Sequence, residues 1–204
     1  MTVPIRGVLL AERIGLEDRL RAQFYRLFAS FLSNAPLAEQ LHSAAALEGD
    51  HTAFGQAIAQ MAAAAAEATP ETTADEYLVL FIGLGRGEFI PYGSYYLTGF
   101  LHEKPLARLR HDMACLGVAR SDEVAEPEDH IAFLMELMAG LIDGSFASPL
   151  SLAEQRQFYD THIGSWAPYF FRDLAASKSS VFYAALANAA REFLTIEERA
   201  FDMA

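Results

Sequence analysis

Apolar residues fall at steps of three and four along most of this chain, the period of helices with one buried face. Leu16, Leu20, Phe24, Leu27, Phe28 and Phe31 form the first stripe, set among Glu17, Arg19, Arg21 and Arg26, and it stops near Ser33-Asn34-Ala35-Pro36. Residues 37–47 and the Ala-rich 53–68 predict two more helices, the second ending at Thr69-Pro70. Within 72–81 the run DEYLVLF fits a short strand or a helix face carrying Tyr77, Leu80 and Phe81. Its helical surroundings favour helix.

Glycines at 83, 85, 87, 93 and 99 and Pro91 then predict the longest irregular segment, GLGRGEFIPYGSYYLTG. Pro105 opens a helix with Leu106, Leu109, Met113 and Leu116 on one face, closed by Gly117. Pro127 suits a first helical turn, followed by the face Ile131, Leu134, Leu137, Met138 and Leu141 and a stop at Gly144. Residues 151–163, 166–175 and 179–194 predict three more helices, the last with Phe182, Leu186, Ala189 and Phe193 on one side. No alternating strands with hairpin turns and no fixed-period repeat occur. The expected fold is all-α: a single domain over 1–204, a helical globule of about ten helices with one long irregular loop.

Composition narrows the class. With 204 residues, 52% of them hydrophobic, the chain has enough apolar surface for one sizeable core. A formal charge of −12 argues against nucleic-acid binding and against an anionic membrane surface, and permits a basic peptide partner. The one cysteine, Cys115, excludes an internal disulfide framework and any CxxC motif; its place in an apolar stripe predicts a buried, inert thiol. Val8 to Ala11 is too short for a signal-peptide core, no apolar stretch reaches membrane-spanning length, and no Arg-Arg pair occurs. A cytoplasmic protein is expected.

The stretch EPEDHIAFLMEL, residues 126–137, concentrates the candidate chemistry. Carboxylates at a helix start meet the positive end of the macrodipole, which accounts for Glu126, Glu128 and Asp129 but not for His130 at the head of the apolar stripe. Glu126 and His130, four apart, share a helical face and could begin a metal site, and Asp129 with His130 could do acid/base work. No HExxH or other second constellation completes either one. GLGRGE matches no phosphate-binding loop, and no nucleophile motif is present. From Asp122 to Asp129 there are five acids and no base, a density most easily tolerated where a cation arrives. Phe89, Ile90, Pro91, Tyr92, Tyr95 and Tyr96 crowd the glycine-rich segment with rings suited either to core packing or to a partner.

EPEDH at the head of an apolar helix resembles the E-(x)-P-x-DH signature of the TorD/DmsD/NarJ family, cytoplasmic chaperones of exported molybdenum enzymes. In register with it are the early Leu-rich helix with Tyr25, the Tyr77-x-x-Leu80-Phe81 pattern, Pro91-Tyr92-Gly93-Ser94-Tyr95-Tyr96, and the late FYDTHIGSWAPYFF. The resemblance implies an all-helical, non-catalytic protein without a cofactor, monomeric or dimeric. Its partners would be a twin-arginine signal peptide and the apo-form of a molybdoenzyme, with no stable membrane insertion. By position it matches Asp129 and His130 to leader recognition and Tyr77, Phe81, Pro91 and Tyr92 to a hydrophobic groove; Glu126 and Tyr95 complete the expected leader-binding set. The alternative is a small helical metal-binding protein or enzyme using Glu126, Asp129 and His130.

Overall fold

A computed structural model describes residues 14–120, 126–146 and 148–203. Among them are ten α-helices, two π segments and no β-strand. In order, α1 (Leu16–Ser33), α2 (Ala38–Ala45) and α3 (Ala53–Glu67) precede α4 (Pro70–Tyr77), which continues as a π segment, Leu78–Ile82. Next come α5 (Gly93–Thr98), α6 (Lys104–Cys115) and α7 (Ile131–Asp143). Then α8 (Leu152–Tyr159) runs into the second π segment, Asp160–Gly164, before α9 (Ala167–Ala175) and α10 (Phe182–Asp202).

The centre is α7. Ten of its 13 residues are buried, from Ile131 to Ile142, so it is apolar on nearly every side and must be surrounded. α1 packs along it most extensively, while α10 packs on α3 and α9. Between them lies an aromatic core that includes Tyr25, Phe28, Phe31, Trp166, Phe170, Phe171, Phe182, Tyr183 and Phe193. α7 ends at Gly144, which takes φ +76°, a conformation that suits glycine at a helix C-terminus. Gly140 is required for a different reason: a Cβ there would stand 2.0 Å from the Phe146 ring, which folds back over the helix.

Four expectations from the sequence are corrected. α1 is rotated: it buries Arg21, Ala22, Tyr25, Phe28, Ala29, Phe31 and Leu32, whereas Leu16 and Leu20 are exposed. The cause is a buried polar network. Arg21 donates through Nε and a terminal nitrogen to both oxygens of Glu197 on α10, at 2.7 and 2.8 Å, and Tyr25 Oη donates to the same carboxylate at 3.0 Å. Gln155 on α8 accepts from Arg21 at 2.9 Å, so three helices meet on one guanidinium. Second, the glycine-rich segment is irregular only to Tyr92 and then becomes α5. Third, Pro127 to Asp129 lie in a turn before α7, whose N-cap is His130; Glu126 and His130 therefore share no helical face. Fourth, Cys115 is exposed at the end of α6.

Removing one partner of a desolvated, bidentate ion pair leaves a buried charge without compensation. Glu197→Ala is expected to lower the unfolding free energy by about 3–5 kcal/mol. A double change to apolar residues of similar volume, Arg21→Met with Glu197→Leu, costs far less. Urea denaturation of the three proteins checks this; a small loss for Glu197→Ala alone would contradict it.

Candidate functional site

Two segments far apart in sequence are joined edge to edge here. Gly93 N–H donates to the Asp129 carbonyl and Ile131 N–H to the Pro91 carbonyl, both at 2.9 Å, so residues 91–93 and 129–131 pair as an isolated antiparallel bridge. The Asp129 side chain adds a third bond, accepting from Ser94 N–H at 2.7 Å. Asp129 thus satisfies two of the free amides at the start of α5, a capping task normally done by a residue just before the helix. Gly93 also lies close to the Trp166 indole, 2.9 Å from where its Cβ would be, so only glycine lets the segment approach.

The other wall comes from the π segment. α4 widens after Tyr77, and the 83–89 loop turns back so that Glu88 and Phe89 amides donate to the Val79 and Leu80 carbonyls at 3.1 and 2.8 Å. Gly83, at φ +62°, makes the reversal; a Cβ there would meet the Arg86 carbonyl at 2.0 Å. Tyr77 donates to the Ser33 carbonyl at the end of α1, at 3.1 Å, and stacks edge-on with Phe81.

Between these walls runs a groove of about 800 Å³. Tyr77, Phe81, Ile82, Pro91 and Tyr92 line one part of it, Glu126 and His130 the corner, and Ala132, Phe133 and Glu136 the α7 side. α1 contributes Arg26, Ala29, Ser30, Ser33 and Asn34. Tyr92 Oη donates to Glu126 and the Tyr92 ring meets His130 edge-on at 5.0 Å. Burial, and then Glu126, push the Tyr92 phenol above its ordinary pKa, so it remains a donor.

Six of the eight residues singled out from the sequence reach this groove: Tyr77, Phe81, Pro91, Tyr92, Glu126 and His130. Asp129 does not line it. It is 3% exposed and one oxygen is given to Ser94, so it builds the corner of this groove; its other oxygen is buried without a partner, and the residue borders a separate cavity of about 300 Å³ with Gly93, Thr98, Lys104 and His162. Tyr95 points elsewhere and accepts from Arg86 at 2.5 Å. The acid-rich stretch also has bases already in place. Arg110 donates to Glu128 at 2.8 and 3.0 Å and Arg120 lies 3.7 Å away. Burial works to raise the Glu128 pKa, but Arg110, a backbone amide and Arg120 together hold the carboxyl low. Asp122 and Glu123 lie outside the described residues. Sequence reasoning missed the α1 contribution and Glu136; the small residues Ala29, Ser30 and Ser33, which leave room beside α7, were the available signal.

Glu126, Asp129 and His130 address three different partners: Tyr92, Ser94 and, through His130 Nδ1 at 3.2 Å, the Ala132 amide. They do not converge on a point. Among the described residues no group of three His, Cys, Asp or Glu side chains is arranged to hold a metal ion, and no helix is long and apolar enough to cross a membrane.

Residues 47–172 match the family described as nitrate reductase delta subunit. Chaperone protein TorD of Vibrio cholerae serotype O1 (strain ATCC 39541) is 29% identical over 136 residues, covering 63% of this chain and 62% of that protein. The alignment therefore spans just under two thirds of that relative's length. A Psychrobacter protein of the same name is 28% identical over 169 residues, 74% of this chain and 76% of its own. Among solved structures, a protein assigned to redox enzyme maturation from Archaeoglobus fulgidus shares the fold, with a TM-score of 0.58 at 24% identity over 86% of this chain and 93% of that one. The two relatives are named as chaperones and the solved structure as a maturation protein.

Burial pushes the His130 pKa from 6.5 down to about 4, against the opposite pull of Glu126 and Asp129. Between those values the unfolded chain binds a proton that the folded chain refuses. Stability is therefore complete above pH 6.5 and falls as pH drops towards 4, by roughly 2–3 kcal/mol from this group. His130→Asn keeps an N-cap acceptor without the titration and should flatten that part of the profile. His162, also lowered by burial, acts with the same sign in both proteins. Urea midpoints measured from pH 7.5 to 4 check the difference; parallel profiles would contradict it.

Proposed function

The chain belongs to the nitrate reductase delta subunit family, and from that premise we propose that it is a TorD-like chaperone of redox-enzyme maturation acting in the cytoplasm. In this reading residues 1–204 serve as one chaperone domain. It binds the twin-arginine leader and the apo-form of a molybdenum-containing oxidoreductase, supports cofactor insertion and prevents premature export. It catalyses no reaction.

The observation that carries the reading is the groove. A leader of this kind has a basic patch followed by an apolar segment, and its receptor needs carboxylate beside apolar and aromatic surface. Glu126 stands next to Tyr77, Phe81, Ile82, Pro91, Tyr92 and Phe133 in one trough. The formal charge of −12 favours the approach of a basic segment. Exposed ion pairs contribute at most about 1 kcal/mol, whereas burying one large apolar side chain contributes about 1.5–3 kcal/mol. Most of the affinity therefore belongs to the apolar segment, and the arginines contribute register and rate of encounter. Asp129 and His130 act by holding the Pro91-Tyr92 wall in place. The metal-site or enzyme alternative draws no support from the divergent aim of Glu126, Asp129 and His130.

Ile82, at the end of the π segment, is half exposed and lines the groove, while Leu84, two residues on, is fully exposed outside it. A labelled peptide carrying an arginine pair followed by a run of apolar residues is expected to bind the protein in fluorescence anisotropy. Ile82→Asp should weaken that binding about tenfold or more, and Leu84→Asp should leave it unchanged. Equal effects of the two changes, or no binding by the unaltered protein, would contradict the proposal.

A further inference from the structure

The groove contains a carboxylate that belongs to no motif. Glu136 lies on α7, two turns beyond the EPEDH corner, and lines the trough beside Ala132 and Phe133. Its partner is Arg26 of α1, whose Nε stands 3.3 Å from one Glu136 oxygen. Arg26 is anchored elsewhere: a terminal nitrogen lies 2.5 Å from Asp143 and the other donates to Ser145 at 2.9 Å. One cation thus serves two carboxylates, and the longer, single contact is the one to Glu136.

That geometry differs from the structural ion pair of the same helix. Arg21 and Glu197 are bidentate at 2.7 and 2.8 Å, with side chains 10% and 1% exposed. Arg26 and Glu136 are 34% and 44% exposed, and the second Glu136 oxygen is not engaged by Arg26. Of the remaining acids of the corner, Glu128 is held by Arg110, while Asp129 is buried outside the groove lining, with one oxygen on Ser94 and the other without a partner. Among the residues lining the groove, Glu126 and Glu136 are therefore the two carboxylates.

We infer that Glu136 is an arginine-receiving carboxylate of this groove, held in reserve by Arg26 as an internal counter-ion that an incoming guanidinium replaces. The inference rests on the leader-binding reading and deepens it. A guanidinium presents a planar fork that matches both oxygens of a carboxylate. A ligand arginine can make that bidentate pair at Glu136, and Arg26 withdraws without losing Asp143 or Ser145. The exchange gives up one long contact at a half-exposed site, so its cost is small. It also makes the groove discriminate: a leader without arginines leaves Arg26 where it is and gains nothing at Glu136. Glu136 sets specificity in this account, and the apolar floor sets affinity.

Two synthetic peptides test it, one carrying an Arg-Arg pair before about ten apolar residues and one with Gln-Gln in its place, titrated at low ionic strength, where charge contributes most. Glu136→Gln should weaken the Arg-Arg peptide about threefold to fivefold, the upper range for an exposed pair, and leave the Gln-Gln peptide unchanged. Arg26→Gln should tighten the Arg-Arg peptide by a similar factor, and that gain should vanish in the double variant. A gain that persists without Glu136 would be a general field effect and overturns the inference, as does an equal effect of Glu136→Gln on both peptides. Should Arg26→Gln fail to fold, the discrimination by Glu136→Gln decides alone. Failure of the unaltered protein to bind either peptide removes the leader-binding reading itself, whereas binding that Glu136 does not discriminate removes only this inference.

Discussion

One carboxylate holds the site together. Asp129 accepts the Gly93 amide with its carbonyl and the Ser94 amide with its side chain, and the neighbouring Ile131 amide returns the favour to Pro91. These bonds start α5, fix the approach to α7 and place the Pro91-Tyr92 wall against the EPEDH corner. The side-chain bond to Ser94 is made inside the protein, at 3% exposure, where a charge-assisted hydrogen bond is strong, and the second oxygen, Oδ1, is buried without a partner.

The rest of the groove follows from that stitch. With residues 91–93 fixed, Tyr92 lies over His130 and reaches Glu126, which fixes the direction of both side chains. The π segment then sets Tyr77, Phe81 and Ile82 opposite, because its wider turn leaves the Val79 and Leu80 carbonyls free for the returning loop. Irregular helical turns of this kind recur at functional sites. Behind them the α1–α7 pair supplies a rigid back wall, and the buried Arg21–Glu197 bond fixes the rotation of α1 that turns Ala29, Ser30 and Ser33 towards the trough.

The all-helical fold was legible because periodicity is a local property: the apolar faces at 106–113, 131–141 and 182–193 reappear as the buried faces of α6, α7 and α10. The rotation of α1 was not, since it depends on Glu197, 176 residues from its partner Arg21. Neither was the start of α5, whose cap arrives from 35 residues downstream. The resemblance assigns the EPEDH corner and the tyrosine-rich segment to one leader-binding site, and the bridge between 91–93 and 129–131 brings the two together. The role of the corner's acids was read from density alone, and density cannot show that Arg110 already neutralises Glu128 or that Asp129 is turned inward. Tyr95 was counted with the groove, yet Tyr92 is the extended N-cap of α5 while Tyr95 lies within the helix, with its hydroxyl on Arg86.

The central claim is that Asp129 builds the groove instead of contacting what enters it. Amide hydrogen exchange and peptide titration of Asp129→Ala test this most directly. The account predicts faster exchange at Gly93, Ser94 and Ile131 together, and a comparable loss of affinity for peptides with and without an arginine pair. Intact protection of those amides, with weakening confined to the arginine-bearing peptide, would make Asp129 a direct ligand contact and contradict the account.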